Sequence, residues 1–360
     1  MTGLRRRGRR NSRAMSAVLT GTVVAIGLIA CGGPGVHPGG STPEVSGPLG
    51  TWRPPTPAPL APVSEYKTAV RMAVADHLRV WIETDLVRRW EEGPSWFDAA
   101  IRQVADLANQ PGVAGIKIAD ELGYNDGMNS AGKISKFLSS AARALHAAAP
   151  HKLLLVDMVV PQLGCLPGDQ PAGSAAAACA RREQAAYPQL ALPAIDGYLH
   201  LHAIDVLDLS TYLLSDSTYK AWHTTTGAAQ SAAWQEVAKR GWPGLVHLQS
   251  RHAFADPGTY RGTRAQAAAD FHLYVGIPLA YGAHAVDIWT WRQEYEGKVY
   301  SLMNPGMRSN AIWDQLEQLR DAGDVFFTHF SPNSVESGVQ TDLAKIATVF
   351  TDVFLPAGTG

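Results

Sequence analysis

Short apolar runs alternate with amphipathic stretches from about residue 65 onward. The apolar runs predict strands at 78–82, 113–118, 153–156, 205–212, 245–249 and 285–291. Apolar residues at helical spacing predict helices at 65–76, 96–107, 134–149, 230–239, 265–279 and 309–320. This alternation is typical of parallel βαβ units, and therefore of a TIM barrel or a doubly wound sheet.

Acidic residues at several strand ends favour the barrel. The strand at 113–118 leads directly into the adjacent carboxylates Asp120 and Glu121, which a turn-rich loop follows. In barrels and open α/β sheets, active sites lie at the C-terminal ends of parallel strands. We therefore predict an α/β, TIM-barrel-like (β/α)8 fold with a functional site here. The simpler alternative is that one acid caps the next helix and the other faces solvent.

The N-terminal segment has the organisation of a secretory signal. Six arginines precede an apolar run at 14–30, and Cys31 follows directly. Leu28–Cys31 resembles the bacterial lipoprotein box, which implies a signal peptide at 1–30, lipidation of Cys31 and a lipid anchor on the extracytoplasmic face of the cell membrane. An uncleaved anchor helix remains an alternative, although the run is short for one. Arg9-Arg10 leaves twin-arginine export open.

Residues 31–63 are rich in Pro, Gly, Ser and Thr and predict a tether, with a single domain at 64–360. The full chain has a net charge of −1, with 31 basic and 32 acidic residues. Removal of residues 1–30, which carry six arginines and no acid, leaves 25 basic residues and a net charge of −7. A mildly acidic exported chain is a poor candidate for nucleic-acid binding, so we expect no nucleic-acid partner.

Two further cysteines, Cys165 and Cys179, bracket a loop rich in Gly, Pro and Ala. In an oxidising compartment this even pair predicts a disulfide. His200 and His202 share one face of a possible strand, but no third ligand lies at a telling distance, so we expect no metal. Phosphate- and dinucleotide-binding motifs are missing from the sequence, and we expect no cofactor.

Three stretches resemble the (β/α)8 glycoside hydrolase superfamily. Gly115–Glu121 is similar to its fourth strand, which ends with the acid/base glutamate. Tyr281–Trp291 is similar to its eighth strand, which often carries Trp after a Gly-Ala pair, and Tyr66–Leu86 to its second helix and third strand. Over about residues 65–323, this resemblance implies a surface-tethered glycosidase with Glu121 as general acid/base.

The chain departs from that pattern at two points. One clear strand precedes the Asp-Glu strand, so either the barrel is shortened or irregular at its N-terminal end, or the strand count is shifted. Gln249 stands where the resemblance places a nucleophilic glutamate, and an amide cannot fill that role. A non-catalytic carbohydrate- or cell-wall-binding lipoprotein on a degenerate barrel is therefore the alternative function.

Glycoside hydrolysis usually needs two carboxyls. We take Asp157 and Asp208 as catalytic candidates beside Glu121, with Glu83 and Glu294 as further acids near strand ends. Trp289 and Trp291 share one face of a predicted strand, where they form either a stacking platform or barrel core. The predicted carbohydrate-binding residues are Asp120, Asn125, Tyr212, Gln249, Arg251, Trp289, Trp291, Arg292 and Glu294.

Overall fold

The computed structural model describes residues 63–168, 171, 173–242, 244–248, 254–258, 260–295, 297–321 and 326–356. Its strands, in chain order, are β1 (Arg79–Glu83), β2 (Val113–Lys117), β3 (Leu153–Val159), β4 (Val206–Ser210), β5 (Gly244–Leu248), β6 (Asp256–Pro257), β7 (Val286–Tyr295), β8 (Lys298–Ser301), β9 (Phe326–Phe330) and β10 (Asp352–Pro356).

Eight of these strands form a closed parallel barrel. They pair in the order β1, β2, β3, β4, β5, β7, β9 and β10, and β10 pairs with β1 to close the ring. The remaining two, β6 and β8, extend the sheet beyond β7 as an antiparallel arm.

Helices connect the strands. They are α1 (Val63–Ala75), α2 (Val87–Glu92), α3 (Pro94–Ala108), α4 (Ala131–Ala148), α5 (Ala175–Ala186), α6 (Leu192–Leu199), α7 (Asp216–Ala221), α8 (Thr226–Arg240), α9 (Arg264–Phe271), α10 (Ile277–Ala280), α11 (Ala311–Asp321) and α12 (Val339–Ile346). Each long helix buries an apolar stripe, as α4 does with Ile134, Phe137, Leu138, Ala141 and Leu145. In the described residues, no helix is both long and apolar enough to cross a membrane.

The predicted α/β, TIM-barrel-like fold is confirmed. The barrel is complete, because β9 and β10, which the apolar pattern did not predict, supply its seventh and eighth strands. The strand before Asp120 and Glu121 is therefore the second of the barrel, not the fourth. The region predicted as a possible strand around His200 and His202 instead contains the end of α6.

The barrel interior is built in layers, because alternate residues of each strand point inward. One layer is apolar and packs Trp81, Leu155, Ala285, Phe327 and Phe354 together. Gly115 lies in the same layer, where its lack of a side chain leaves room for the Trp81 ring; a Cβ there would lie 2.3 Å from that ring. Strand by strand, the residues two positions further on form the next layer towards the C-terminal mouth.

The loop after β3 is joined to α5 by a disulfide between Cys165 and Cys179, whose Cα atoms are 5.6 Å apart. Both cysteines are buried. The bond therefore fixes one wall of the barrel mouth to the helix that follows it.

Candidate active site

Charged side chains form the layer of the barrel interior that follows the apolar layer towards the mouth. Glu83 follows Trp81 by two positions, Lys117 follows Gly115, and Asp157 follows Leu155. The same step gives Asp287 on β7 and His329 on β9, and Asp208 lies directly beside Asp157 in the β3–β4 pairing. The side chains of Lys117, Asp157 and Asp287 have no solvent-exposed surface. We refer to these residues as the charged layer: Glu83, Lys117, Asp157, Asp208, Asp287 and His329.

Lys117 is a buried cation surrounded by carboxylates. Its Nζ lies 2.9 Å from Glu83 Oε1, 2.8 Å from Asp120 Oδ1 and 3.8 Å from Asp157 Oδ2. Burial lowers the pKa of Lys117, but the charges of Asp120, Glu83 and Asp157 outweigh it and hold the pKa well above its usual value. The amine is therefore protonated and unsuited to act as a nucleophile.

His329 bridges two carboxylates. Its Nδ1 lies 2.9 Å from Glu83 Oε2 and its Nε2 lies 3.0 Å from Asp287 Oδ2. Burial lowers the pKa of His329, but Asp287 and Glu83 raise it to about 10. At neutral pH the ring is therefore an imidazolium that donates a hydrogen bond to each carboxylate.

Glu83 joins the two cations and reaches solvent. Burial raises its pKa, but His329 and Lys117 lower it to about 2, so the carboxylate stays ionised. Its side chain is 20% exposed, in contrast to the fully buried Lys117. Glu83 and His329 lie at the base of a cavity of about 350 Å³, which is also lined by Thr290, Arg292, Gln293, Glu294, Phe330, Ser331, Asn333, Ser334 and Pro356.

Asp85, two residues beyond Glu83, has the opposite electrostatic environment. Burial raises its pKa to about 6. The N–H of Val87, which donates to Asp85 Oδ1 at 3.1 Å, lowers the pKa but does not offset burial. The charges of Asp126 and Asp120 raise the pKa further. Asp126 and Asp120 belong to the loop after β2, so Asp85 faces that loop, and it is not among the residues that line the cavity.

The structure places Glu121 in the loop after β2, outside the charged layer. Its backbone has a positive φ of 45°, and its N–H donates to Asp157 Oδ2 at 3.3 Å. Its Oε2 accepts a hydrogen bond from Asn125. Asp120 is largely exposed and pairs with Lys117, so both acids line the rim while Asp157 and Asp208 lie inside the barrel.

Tyr212 also lies at the rim, after β4. Its ring meets that of Tyr124 edge-on at 5.8 Å, and Tyr124 lies 5.1 Å from Tyr187. Burial, and then hydrogen bonding with Tyr212, raises the pKa of Tyr124. These rings form an aromatic wall over the β2 and β4 ends.

The two tryptophans of β7 have different surroundings. Trp291 is 2% exposed, donates from Nε1 to Asp342 at 2.9 Å and packs on Trp313, so it belongs to the core outside the barrel. Trp289 contacts Tyr295 at the end of β7 and Tyr300 on β8, and its Nε1 donates to Gln293. The pairing with β9 shifts register between Ile288 and Arg292. The expected shared platform of Trp289 and Trp291 does not form.

Two of the residues named from the sequence, Arg292 and Glu294, line the cavity. Gln249, Arg251 and Cys31 lie outside the described residues, as do the signal peptide and nearly all of the tether. Within the described part of the chain, no group of three His, Cys, Asp or Glu is arranged to hold a metal ion.

Sequence reasoning missed Lys117, Asp287 and His329. Each is a polar residue inside an otherwise apolar strand, in the sequences VAGIK, VDIW and FFTHF. Such residues are rarely buried unless they are paired. A polar residue within a strand that is otherwise apolar was therefore the sequence signal that could have identified these three residues as part of the barrel interior.

No known protein family and no curated protein matches the chain. Among solved structures it is similar to the carboxyl transferase domain of Rhizobium etli pyruvate carboxylase, with 11% identity and a TM-score of 0.39 over 81% of this chain and 42% of that one. It is also similar to a 2,3-dimethylmalate lyase of the PEP mutase/isocitrate lyase superfamily, with 13% identity and a TM-score of 0.35 over 83% and 81% of the two chains. A methylaspartate ammonia lyase from Clostridium tetanomorphum gives 13% identity and a TM-score of 0.40 over 81% and 58%.

The glycoside hydrolase prediction is wrong. The motifs lie on the wrong strands: the supposed fourth, seventh and eighth strands are the second, fifth and sixth of the barrel. The predicted acid/base role of Glu121 in glycoside cleavage, the carbohydrate partner and the alternative of a carbohydrate-binding degenerate barrel are set aside with it.

Proposed function

We propose that the protein is an enzyme that carries out general acid–base chemistry on a small polar molecule at the barrel mouth. The observation that carries this proposal is the charged layer, which opens into the cavity through Glu83. Active sites of TIM barrels lie at this end of the strands. A cavity of about 350 Å³ suits a small molecule.

The residues divide the work by their acidity. Asp85 follows β1 two residues beyond Glu83, and its pKa of about 6 suits a general base near neutral pH. His329, which lines the cavity, carries fixed positive charge that stabilises negative charge developing on the substrate, and Lys117 helps to keep Glu83 ionised. Glu83 orients both cations and accepts a hydrogen bond from the substrate, while Asp287 holds the His329 ring.

A substrate screen tests this proposal. Purified protein is incubated with a mixture of small polar metabolites, and their consumption is followed by mass spectrometry. We expect at least one compound to be converted, with the rate reduced about 10²–10⁴-fold in Asp85→Asn, as is typical for loss of a general base. The control is Asp98→Asn, an exposed position on α3. Conversion should rise as pH increases through about 6. Equal rates in Asp85→Asn and wild type would contradict the assignment.

Export and lipid anchoring through Cys31 form a separate part of the proposal. The basic head, the apolar run and Leu28–Cys31 support it. Cys31→Ser should release the protein from the membrane fraction or leave the signal uncleaved. Unchanged fractionation together with an unchanged N-terminal mass would reject this assignment.

A further inference from the structure

Arg292 forms part of the cavity wall above Glu83 and His329. Arg292 lies on β7 directly opposite Phe330 of β9. Phe330 is the residue that follows His329 in the sequence. The Arg292 side chain is 25% exposed. The guanidinium therefore stands between the buried charged layer and solvent.

Neighbouring loops hold this guanidinium in place. Its Nε donates to Glu336 Oε2 at 3.3 Å, and Nη1 lies 3.5 Å from Ser334 Oγ. Glu336 is itself fixed, since its Oε1 accepts from the N–H of Gly306 and its own N–H donates to Asp342 Oδ2 at 2.8 Å. Arg292 is thus positioned before any ligand arrives.

Asp342 is the anchor of this arrangement. It is completely buried and also accepts hydrogen bonds from the N–H of Ser337 and from Nε1 of Trp291, each at 2.9 Å. The loop that carries Ser334 and Glu336 is thereby fastened to β7. A buried carboxylate with three donors makes a rigid support for an exposed charge.

Part of the guanidinium is left to bind something else. Arginine carries five N–H donors, and the contacts found among the described residues use those of Nε and Nη1. Ser331, Asn333 and Ser334 add hydroxyl and amide groups to the same wall. Of the two acids in the cavity wall, Glu83 pairs with Lys117 and His329, and Glu294 is the other.

We propose that Arg292 binds an anionic oxygen-bearing group of the substrate, a carboxylate or a phosphate, through its remaining N–H donors. The planar fork of arginine matches either group, and a position partly shielded from solvent strengthens the pairing. The substrate is then a small acid whose anionic end lies at Arg292 and whose reacting end lies over the charged layer. The placement of the reacting end rests on the proposed function, whereas anion binding by Arg292 does not.

Binding measurements test the site without turnover. Malonate, inorganic phosphate and the uncharged malonamide are titrated into the purified protein by calorimetry at low salt. We expect malonate or phosphate to bind and malonamide to fail, and the stronger of the two anions identifies the group. Arg292→Gln should weaken anion binding at least tenfold, and Arg292→Lys should restore part of it.

The control is Arg264→Gln. Arg264 lies on α9, outside the cavity, and like Arg292 it forms an ion pair, with its Nη2 3.3 Å from Asp314 Oδ2. This variant should leave anion binding unchanged. Equal binding of malonamide and malonate, equal anion binding by Arg292→Gln and wild type, or no anion binding by wild type would overturn the proposal. Failure of the Asp85 test with intact anion binding would reject the acid–base assignment and leave Arg292 in place.

Discussion

At the scale of single residues, the charged layer is a costly arrangement for a barrel core. Replacing a buried ion pair with apolar residues of similar volume is often neutral or stabilising, because desolvation offsets the attraction. Lys117 Nζ and the centre of the His329 ring lie 5.5 Å and 4.9 Å from the centre of the Phe354 ring, which belongs to the apolar layer below. Apolar side chains at these two positions would match that layer. Strongly perturbed pKa values in a cleft are characteristic of functional sites. The layer is therefore better explained by chemistry than by stability.

Asp85 provides a test at this scale, because its pKa is raised in the folded protein to about 6 from an ordinary value of 3.8. A carboxyl whose pKa is raised by folding costs stability as pH rises from about 4 through 6, and the cost is complete above that. Asp85→Asn removes this cost and can still accept from the N–H of Val87. We expect the variant to be more stable than wild type at pH 7, by on the order of 1 kcal/mol.

Urea unfolding at pH 7 and pH 4 checks this expectation. The stability gain of Asp85→Asn should shrink towards zero at pH 4, where the wild-type carboxyl is protonated. Asp98→Asn serves as the exposed control and should show no such gain. A variant less stable than wild type at pH 7 would show that Asp85 is a stabilising charge instead of a raised-pKa base.

At the scale of elements, the sequence predicted the helices and strands with the clearest periodicity. The helices at 96–107 and 134–149 correspond closely to α3 and α4, because their apolar stripes recur over several turns. The strands β9 and β10 are as long as β1 and β2, but two polar residues interrupt FFTHF, and DVFLP begins and ends with residue types that are depleted in strands. Without them the barrel appeared short at its beginning.

The same limit affected the site. The predicted strand at 113–118 drew attention to the acids that follow it, whereas β2 ends at Lys117 and directs that residue inward. Inward direction depends on strand parity and on which neighbours pair, which a run of apolar residues does not reveal. Asp157 was recognised because it directly follows the predicted strand at 153–156, and Asp208, inside the predicted strand at 205–212, was named with it; the structure places both in the charged layer.

Gly115 tests the layered packing of β2. An added Cβ would lie 2.3 Å from the Trp81 ring and 2.6 Å from the carbonyl oxygen of Leu153. We expect Gly115→Ala to lower the free energy of unfolding by about 1–3 kcal/mol, the usual cost of overpacking a core. In the matched control, Gly132→Ala in α4, the nearest atom lies 3.9 Å away. That change should be neutral or stabilising, since alanine favours helix. Equal unfolding midpoints for the two variants in urea would contradict the layered interior.

At the scale of the whole molecule, closure of the barrel creates the site. Glu83 and His329 are 246 positions apart in sequence, yet the pairing of β1 with β10 and of β10 with β9 brings their side chains to 2.9 Å. Asp287 reaches the other side of the same ring from β7. No local pattern links three such residues, so sequence alone could not assemble them.

We expect Asp287, His329 and Glu83 to act as one unit, and a double-mutant cycle tests this coupling. The rate of conversion of a compound found in the screen is measured for wild type, Glu83→Gln, Asp287→Asn and the double variant. Each single change should slow conversion by about 10²-fold, and the double variant should be no slower than the slower single variant, since residues that act together lose their effect together. Circular dichroism spectra confirm that all four proteins are folded. Losses that multiply in the double variant, or single variants that convert the compound at the wild-type rate, would contradict the account.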